Sequence, residues 1–411
     1  MSKIGFLIPE FPIQTHAFFI REREELKKLG VDTVLISTRR PDGQAGLAAH
    51  AWAEAAAKET TYLFPLGITT LIHAVLTIIL AGPCAWWKSA KAIFGASDMT
   101  IAERLKMPVM MMTGAYLKRF CQVQQLDHVH VHSCANAANV AMFARIFNGP
   151  TYSLTLHGPM QDYGTNQANK WKYAAYCIVI TQDLMDEVNT KLAHITIPPT
   201  YLAPMGVNIT DFKRSNTYNV AQQGETIKLI SCGRLNYVKA HDDLIRVVAK
   251  LQEKGIDAEL KICGAMDAPS QAVNYDQELI SLADELKVKA RIHLLGSVSE
   301  SRVKEELEHA HFFCLASLKE PLGVATMEAM AMEIPAIVTR SPGVSEMVES
   351  DIDGVLVEPR SPDEFVAAII NLIEKPELAK AIARQGREKI VLKFHSGVSA
   401  KKIAEGLSKV R

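Results

Sequence analysis

The 411-residue chain has no net charge: 45 Lys and Arg stand against 45 Asp and Glu. Without a basic surplus there is no global field to gather nucleic acid, so no nucleic-acid partner is expected and any pull toward a membrane must be local. The cysteines (Cys84, Cys121, Cys134, Cys177, Cys232, Cys263 and Cys314) include no CxxC pair and no metal-like spacing. Several sit inside apolar runs, which argues against a disulfide frame and fits reduced, buried thiols. A secretory leader is not expected either, because residues 1–3 run straight into the short apolar stretch 4–8 with no small-residue cleavage site behind it. These absences point to a cytoplasmic protein. What remains is an ordinary globular composition, 48% hydrophobic and 22% charged, in a chain long enough to require two domains.

Short β-type runs alternate with helical stretches in both halves. In the first half they fall near 4–8, 32–36, 129–132, 153–155 and 177–181, with a helix over about 17–29. The second half is cleaner, with runs near 228–232, 259–263, 291–294, 312–315 and 336–339. Strands spaced by helices predict parallel sheets with crossover helices. The expected fold is therefore α/β, two Rossmann-like domains with a ligand cleft between them. Domain 1–213 comes first, a polar stretch 214–226 is the expected linker, and domain 227–395 follows. Residues 396–411 form a final helix.

Two constellations carry chemistry. Glu320 and Glu328 lie where an apolar strand gives way to a helix, on the edge of an open sheet where ligands bind. Between them Gly323 allows close backbone approach, and the first helical amides offer donors to an anionic or hydroxylated ligand. Upstream, a β-type run ends at Gly233 and is followed by Arg234 and Lys239 before a helix expected from about residue 242. A planar guanidinium and a mobile ammonium together suit a diphosphate.

With Gly264, the loop from Gly296 through Ser297 to Val298, and the run Pro342, Gly343 to Glu346, these residues resemble the retaining glycosyltransferases of family 4, which have the GT-B fold. The motifs span the C-terminal half in order. The N-terminal half is similar to the polysaccharide-assembly branch through Phe11, Pro12, Thr15 and His16, through His130 and His132, and through His157, Gly158 and Asp162. One departure is Glu333, where the family usually has glycine. Another is the loop 9–16, which lacks the diglycine of many relatives.

The resemblance implies that Arg234 and Lys239 neutralise the diphosphate of a nucleotide-diphosphate sugar, UDP-linked by preference, as charge grows on the leaving group. It implies further that Glu328 holds the ribose, Glu320 holds the donor sugar, and backbone around Leu322, Gly323 and Val324 assists. Gly264, Ser297 and Val298 would line the nucleotide site, and His157 would face the donor sugar. On the acceptor side stand Thr15, which could also cap the next helix, His16, His132 and Asp162. The implied activity transfers a sugar to a glycan or lipid-linked glycan, with no cofactor and no metal. An epimerase or sucrose-type synthase on the same scaffold, or an idle nucleotide-sugar-binding partner, are the alternatives. GT-B proteins commonly return their last helix to the first domain, so 396–411 could belong there.

Residues 63–120 interrupt the alternation. The apolar stretch 63–82 would reach about 30 Å as a helix, but Pro65, Gly67, His73 and three threonines weaken a transmembrane reading. Trp86, Trp87, Lys88 and Lys91 follow, a combination typical of a membrane interface. Peripheral contact through 63–112 stands beside a simpler alternative, a pair of buried helices covering the first sheet. His128, His130 and His132 alternate along one strand and could share a face. They imitate a metal cluster, yet no cysteine or carboxylate is suitably spaced, and no metal site is expected. The acidic triplet at Asp351 and Asp353 before Gly354 imitates a manganese motif and reads as a turn.

Overall fold

The computed structural model describes residues 2–13, 16–41, 51–266 and 274–410. Thr15 lies outside the described residues. Contacts divide the chain into two units, Met1–Pro204 with Gly397–Arg411, and Met205–Ser396.

The first unit is built on β1 (Ser2–Glu10), β2 (Val31–Arg39), β3 (Thr61–Tyr62), β4 (His128–Val131), β5 (Thr151–Leu156), β6 (Tyr176–Val179) and β7 (Thr200–Leu202), in the order β3-β2-β1-β4-β5-β6-β7. All pairings are parallel. Parallel strands buried on both faces need continuous apolar side chains, and β1 supplies them with Ile4, Phe6, Leu7 and Ile8 out of water. The strand order reverses between β1 and β4, so this is the topological switch point of the sheet.

The second unit repeats the plan with β8 (Ile227–Cys232), β9 (Ala258–Cys263), β10 (Ile292–Gly296), β11 (Phe312–Leu315), β12 (Ala336–Thr339) and β13 (Val355–Val357). Its order is β10-β9-β8-β11-β12-β13, again all parallel, with the switch between β8 and β11. The expected strands all appear. Two short edge strands of the first sheet, β3 and β7, are additions.

The stretch expected to link the domains, 214–226, lies within the second unit. Tyr218 and Ala221 are buried in its core. Tyr218 donates its hydroxyl hydrogen to the His311 carbonyl at 2.8 Å, and Arg214 donates to the Glu308 carbonyl at 2.5 Å. One aromatic ring and one guanidinium thus anchor a segment whose other residues are polar. The chain passes between units at Pro204/Met205 and returns at Ser396/Gly397. Helix Gly397–Val410 buries Ala400, Ile403 and Leu407 in the core of the first unit, where Tyr176 donates to the Ile403 carbonyl at 3.0 Å.

Residues 63–120 form helices Ile68–Leu80 and Gly82–Phe94, bent by 104° at their junction, and then the long helix Ile101–Gln124. Thr100 and Glu103 cap the long helix reciprocally. Among the described residues no single helix is long and apolar enough to cross a membrane. The buried-pair alternative does not hold for Ile68–Leu80, which buries only Ala74. Ile72 and Ile79 are each 55% exposed and Leu80 is 83% exposed.

At position 333 the backbone takes the left-handed conformation that glycine favours, with Glu333 at φ +53°. An L-residue there carries strain of about 1–2 kcal/mol. Asp351 and Asp353 lie in a turn, as expected. Asp353 is buried, accepts from the Glu349 amide at 2.8 Å and pairs with Lys389 at 2.5 Å.

Candidate functional site

In the second unit, β8 ends at Cys232 and the Gly233 amide donates to the Cys263 carbonyl at 2.9 Å. The chain then turns. The Asn236 side chain accepts from the Lys239 amide at 3.1 Å, and a single 3-10 turn, Tyr237–Lys239, leads into helix His241–Glu253. This turn is tied to the segment after β11 by the Leu318 amide, which donates to the Val238 carbonyl at 2.8 Å. The consequence is direct contact across the switch point: Lys239 Nζ pairs with Glu320 Oε2, both side chains being more than four-fifths out of water. A lysine and a glutamate 81 positions apart in sequence therefore form one polar centre.

The loop that carries Glu320 is fixed from behind. Gly323 sits at φ +82°, where other residues are strained, and opens helix Val324–Ala331. Gly343 passes so close that a Cβ there would lie 1.7 Å from the Pro321 carbonyl oxygen. Leu322 is buried beneath this loop and Val324 is half-buried at the helix start. Glu328, one turn further along the helix, is half-buried within electrostatic reach of Cys232. The Cys232 thiol is pushed well above its usual value, first by its hydrogen bond to Cys263, then by burial, with the charge of Glu328 adding to the effect.

Arg234 is an exposed residue at the start of the same turn, and its carbonyl faces the buried His241 Nε2 at 3.2 Å. His241 is held down to about 4 by burial, so a neutral ring braces the backbone between the two cations. No role for His241 was read from sequence. The signal available was a histidine at the first position of a helix that directly follows the basic turn. Gly264 donates its amide to the Gly296 carbonyl at 2.9 Å. Ser297 and Val298 follow β10, with β9 lying between β10 and β8, so they are one strand further from the Lys239–Glu320 pair.

The first unit brings together His16, His132 and His157. His132, just past β4, is buried with its Nε2 3.0 Å from Glu22 Oε2 and its Nδ1 3.3 Å from His157 Nε2. His16 and His157 are each depressed to about 3, by burial first, then by the neighbouring histidine. His130 and His132 are pushed down for the same leading reason. Burial pushes Glu22 the other way, against the opposing pull of His130, the Ser399 hydroxyl and His157. Asp162 is an exposed residue of the turn Met160–Tyr163.

The expectation that no carboxylate accompanies these histidines is corrected by Glu22. It comes from helix Ala17–Lys28, whose Phe19 and Glu22 reach His132 just past β4, and sequence spacing along one strand cannot reveal it. Ligand atoms of Glu22, His130 and His132 lie within 4.8 Å of one another. Yet both His130 nitrogens are already engaged, Nδ1 with Ser153 at 2.7 Å and Nε2 with Thr155 at 3.0 Å. An ion there would have to displace a hydroxyl partner of His130, whereas Glu22 Oε2 and His132 Nε2 have no hydrogen-bond partner among the described residues.

Residues 214–389 match the family model described as Glycosyl transferases group 1. Over 40% to 70% of its length the chain is similar to curated glycosyltransferases. It is 26% identical to N-acetyl-alpha-D-glucosaminyl L-malate synthase of Bacillus anthracis, covering 67% of this chain and 72% of that protein. It is 29% identical to the putative colanic acid biosynthesis glycosyltransferase WcaL of Escherichia coli K12, covering 49% and 48%. The structure of Anabaena HepE in complex with UDP superposes with a TM-score of 0.72 at 15% identity, over all of both chains. The fold is GT-B. Fold and matched domain together support a GT-B glycosyltransferase.

Proposed function

We propose that the chain is a retaining, metal-independent glycosyltransferase of family 4 acting in bacterial polysaccharide biosynthesis. It takes a sugar from a nucleotide-diphosphate sugar, UDP-linked by preference, and places it on a glycan or lipid-linked glycan. The observation that carries this reading is the Lys239–Glu320 pair at the switch point of the second sheet. Supporting it are the similarity to WcaL, named for colanic acid biosynthesis, and the fold shared with HepE, whose structures hold UDP and UDP-glucose.

In this reading the donor's diphosphate draws Lys239 away from Glu320, and Arg234 adds a second positive charge. The freed carboxylate accepts hydrogen bonds from hydroxyls of the donor sugar, while Glu328 does the same for the ribose. The anomeric carbon–oxygen bond to phosphate then breaks as the acceptor oxygen bonds to the same face of that carbon. The acceptor proton passes to the departing phosphate oxygen. The enzyme supplies positioning and charge, and no side chain becomes a covalent nucleophile. The resemblance assigns His157 to the donor sugar, and His16, His132, Asp162 and Thr15, which lies outside the described residues, to the acceptor. The exposed apolar side chains of Ile68–Leu80, with Trp87 72% exposed and Lys88 and Lys91 close by in sequence, support peripheral contact with a membrane that carries the acceptor.

The test is turnover with a panel of UDP-, GDP- and ADP-sugars, measured as nucleotide release with and without glycan acceptors. Lys239→Ala is expected to lower the rate about 100- to 1,000-fold, the usual loss of one charge-stabilising donor, with an unchanged circular dichroism spectrum. Near-normal turnover in that variant refutes the assignment.

A further inference from the structure

A cavity of about 400 Å³ opens at the C-terminal ends of β1 and β2, beside the switch point of the first sheet. In an open α/β sheet that edge is where ligands bind, and the volume is that of a small-molecule pocket. Helix Asn136–Ile146, which follows β4, and helix Ile101–Gln124 supply its walls. Among the described residues, none of those implied for the donor or the acceptor lines it.

The floor of this cavity asks for no hydrogen bond. Ala137, Val140 and Thr113 are buried there, and the Thr113 hydroxyl is spent on the Val109 carbonyl at 2.9 Å. On the strand side the Thr38 hydroxyl donates to the Pro9 carbonyl. A sugar entering here would give up water around its hydroxyls and find few partners in exchange. A hydrocarbon chain has no such loss and gains from leaving water.

The mouth has the opposite character. Arg39 Nε donates to Glu10 Oε2 at 2.8 Å, and because the Arg39 side chain is exposed the pair is a weak one that a phosphate can replace. Arg40 follows with its guanidinium 4.8 Å from the centre of the Tyr62 ring, so this strand end carries a surplus of positive charge. Phe64, 48% exposed, and Val109, 43% exposed, form an apolar rim. Four residues after Phe64 begins helix Ile68–Leu80, whose exposed apolar side chains lie against helix Ile101–Gln124. Between Glu59 and Asp98 the chain holds Lys88 and Lys91 and no acidic residue, a balance that suits a surface of anionic lipid.

We propose that this cavity takes the stretch of hydrocarbon next to the phosphate of a lipid phosphate, with the phosphate on Arg39 at the mouth. The site itself rests on the cavity and its charges; that the lipid carries the glycan acceptor rests on the glycosyltransferase reading. Apolar contacts inside the cavity replace those that the chain gives up in the bilayer, so the exchange is close to neutral. The charged contact at Arg39 then decides occupancy, and it selects lipids with a phosphate over neutral ones.

The experiment is isothermal titration calorimetry of the full chain with butyl, hexyl and octyl phosphate below their micelle-forming concentrations, and with inorganic phosphate and octanol. Affinity is expected to rise about fourfold per added methylene, with inorganic phosphate at least about 100-fold weaker than octyl phosphate. Arg39→Ala is expected to weaken octyl phosphate about tenfold and leave octanol as it was. Val109→Asp, at the exposed rim, should weaken both by at least about tenfold. Ile72→Ser with Ile79→Ser, outside the cavity, should leave octyl phosphate binding unchanged. Affinity that ignores chain length, wild-type binding in both Arg39→Ala and Val109→Asp, or binding lost with Ile72 and Ile79 overturns the site. The chain-length series uses the unaltered protein, so a variant that folds poorly leaves the test intact. Chain-length-dependent binding by a protein that transfers no sugar would sink the proposed function alone, and sugar transfer without such binding would sink this site alone.

Discussion

Lowering the pH from 7.5 to 5.5 should destabilise the first unit far more than its surface charge suggests. His16 and His157 are depressed from 6.5 to about 3, and His130 and His132 are also pushed down, burial leading in every case. A group with a lower pKa folded than unfolded binds fewer protons in the native state, so stability is lost as pH falls through the unfolded value. Each ring that stays neutral when folded costs about 1.4 kcal/mol over this range, or roughly 5.5 kcal/mol for four. Glu22 has the opposite sign. Its raised pKa means that the native state binds the proton more readily, which returns no more than the one-proton linkage limit of about 2.7 kcal/mol as pH falls to 5.5. A net loss of at least about 3 kcal/mol is a large part of ordinary domain stability and moves the urea midpoint down by about 1–3 M. All four tryptophans, Trp52, Trp86, Trp87 and Trp171, lie in the first unit. Tryptophan fluorescence during urea unfolding therefore reads this unit alone. A midpoint that stays within about 0.3 M between the two pH values would show that the rings are not held neutral and would refute the reasoning.

Two further perturbations follow from packing and exposure. Gly343→Ala drives a Cβ against the Pro321 carbonyl; a loss of about 1–3 kcal/mol is expected, together with displacement of the Glu320 loop, and calorimetry showing an unchanged second unit would contradict it. Ile72→Ser combined with Ile79→Ser removes two half-exposed apolar side chains and should weaken binding to anionic lipid vesicles about 100-fold while leaving the circular dichroism spectrum as it was. Sedimentation with vesicles checks this, and equal binding by both proteins would remove the membrane role.

Much of this architecture was legible because a parallel strand buried on both faces writes itself as a continuous apolar run. β11 and β12 are such runs, whereas β8 and β9 are interrupted by Lys228, Glu259 and Lys261 and are marked by the apolar residues around them and by the helices that follow. The short edges β3 and β7 are paired on one side only and carry no such mark. The stretch 214–226 read as a linker because its polar residues outnumber the two, Tyr218 and Ala221, that are buried. Lys239 and Glu320 could be singled out because each follows a strand, and strand ends on one edge of a sheet are gathered by topology. Glu22 could not. It sits in the run Arg21, Glu22, Arg23, Glu24, Glu25, which looks like a solvated helix face, yet Arg21 and Glu22 are both buried and Glu22 meets His132 just past β4. Glu333 was legible as a departure from its relatives, and its left-handed backbone shows that the turn keeps a glycine's geometry without the glycine.

The return of helix Gly397–Val410 to the first unit makes the second unit an insertion within it. During synthesis the ribosome finishes the second unit while the first still lacks the helix that covers Tyr176 and brings Ser399 to Glu22. The earlier-made portion must therefore wait, partly uncovered, until residues 397–410 emerge. A fragment stopping at Pro204 would present that same unfinished surface permanently.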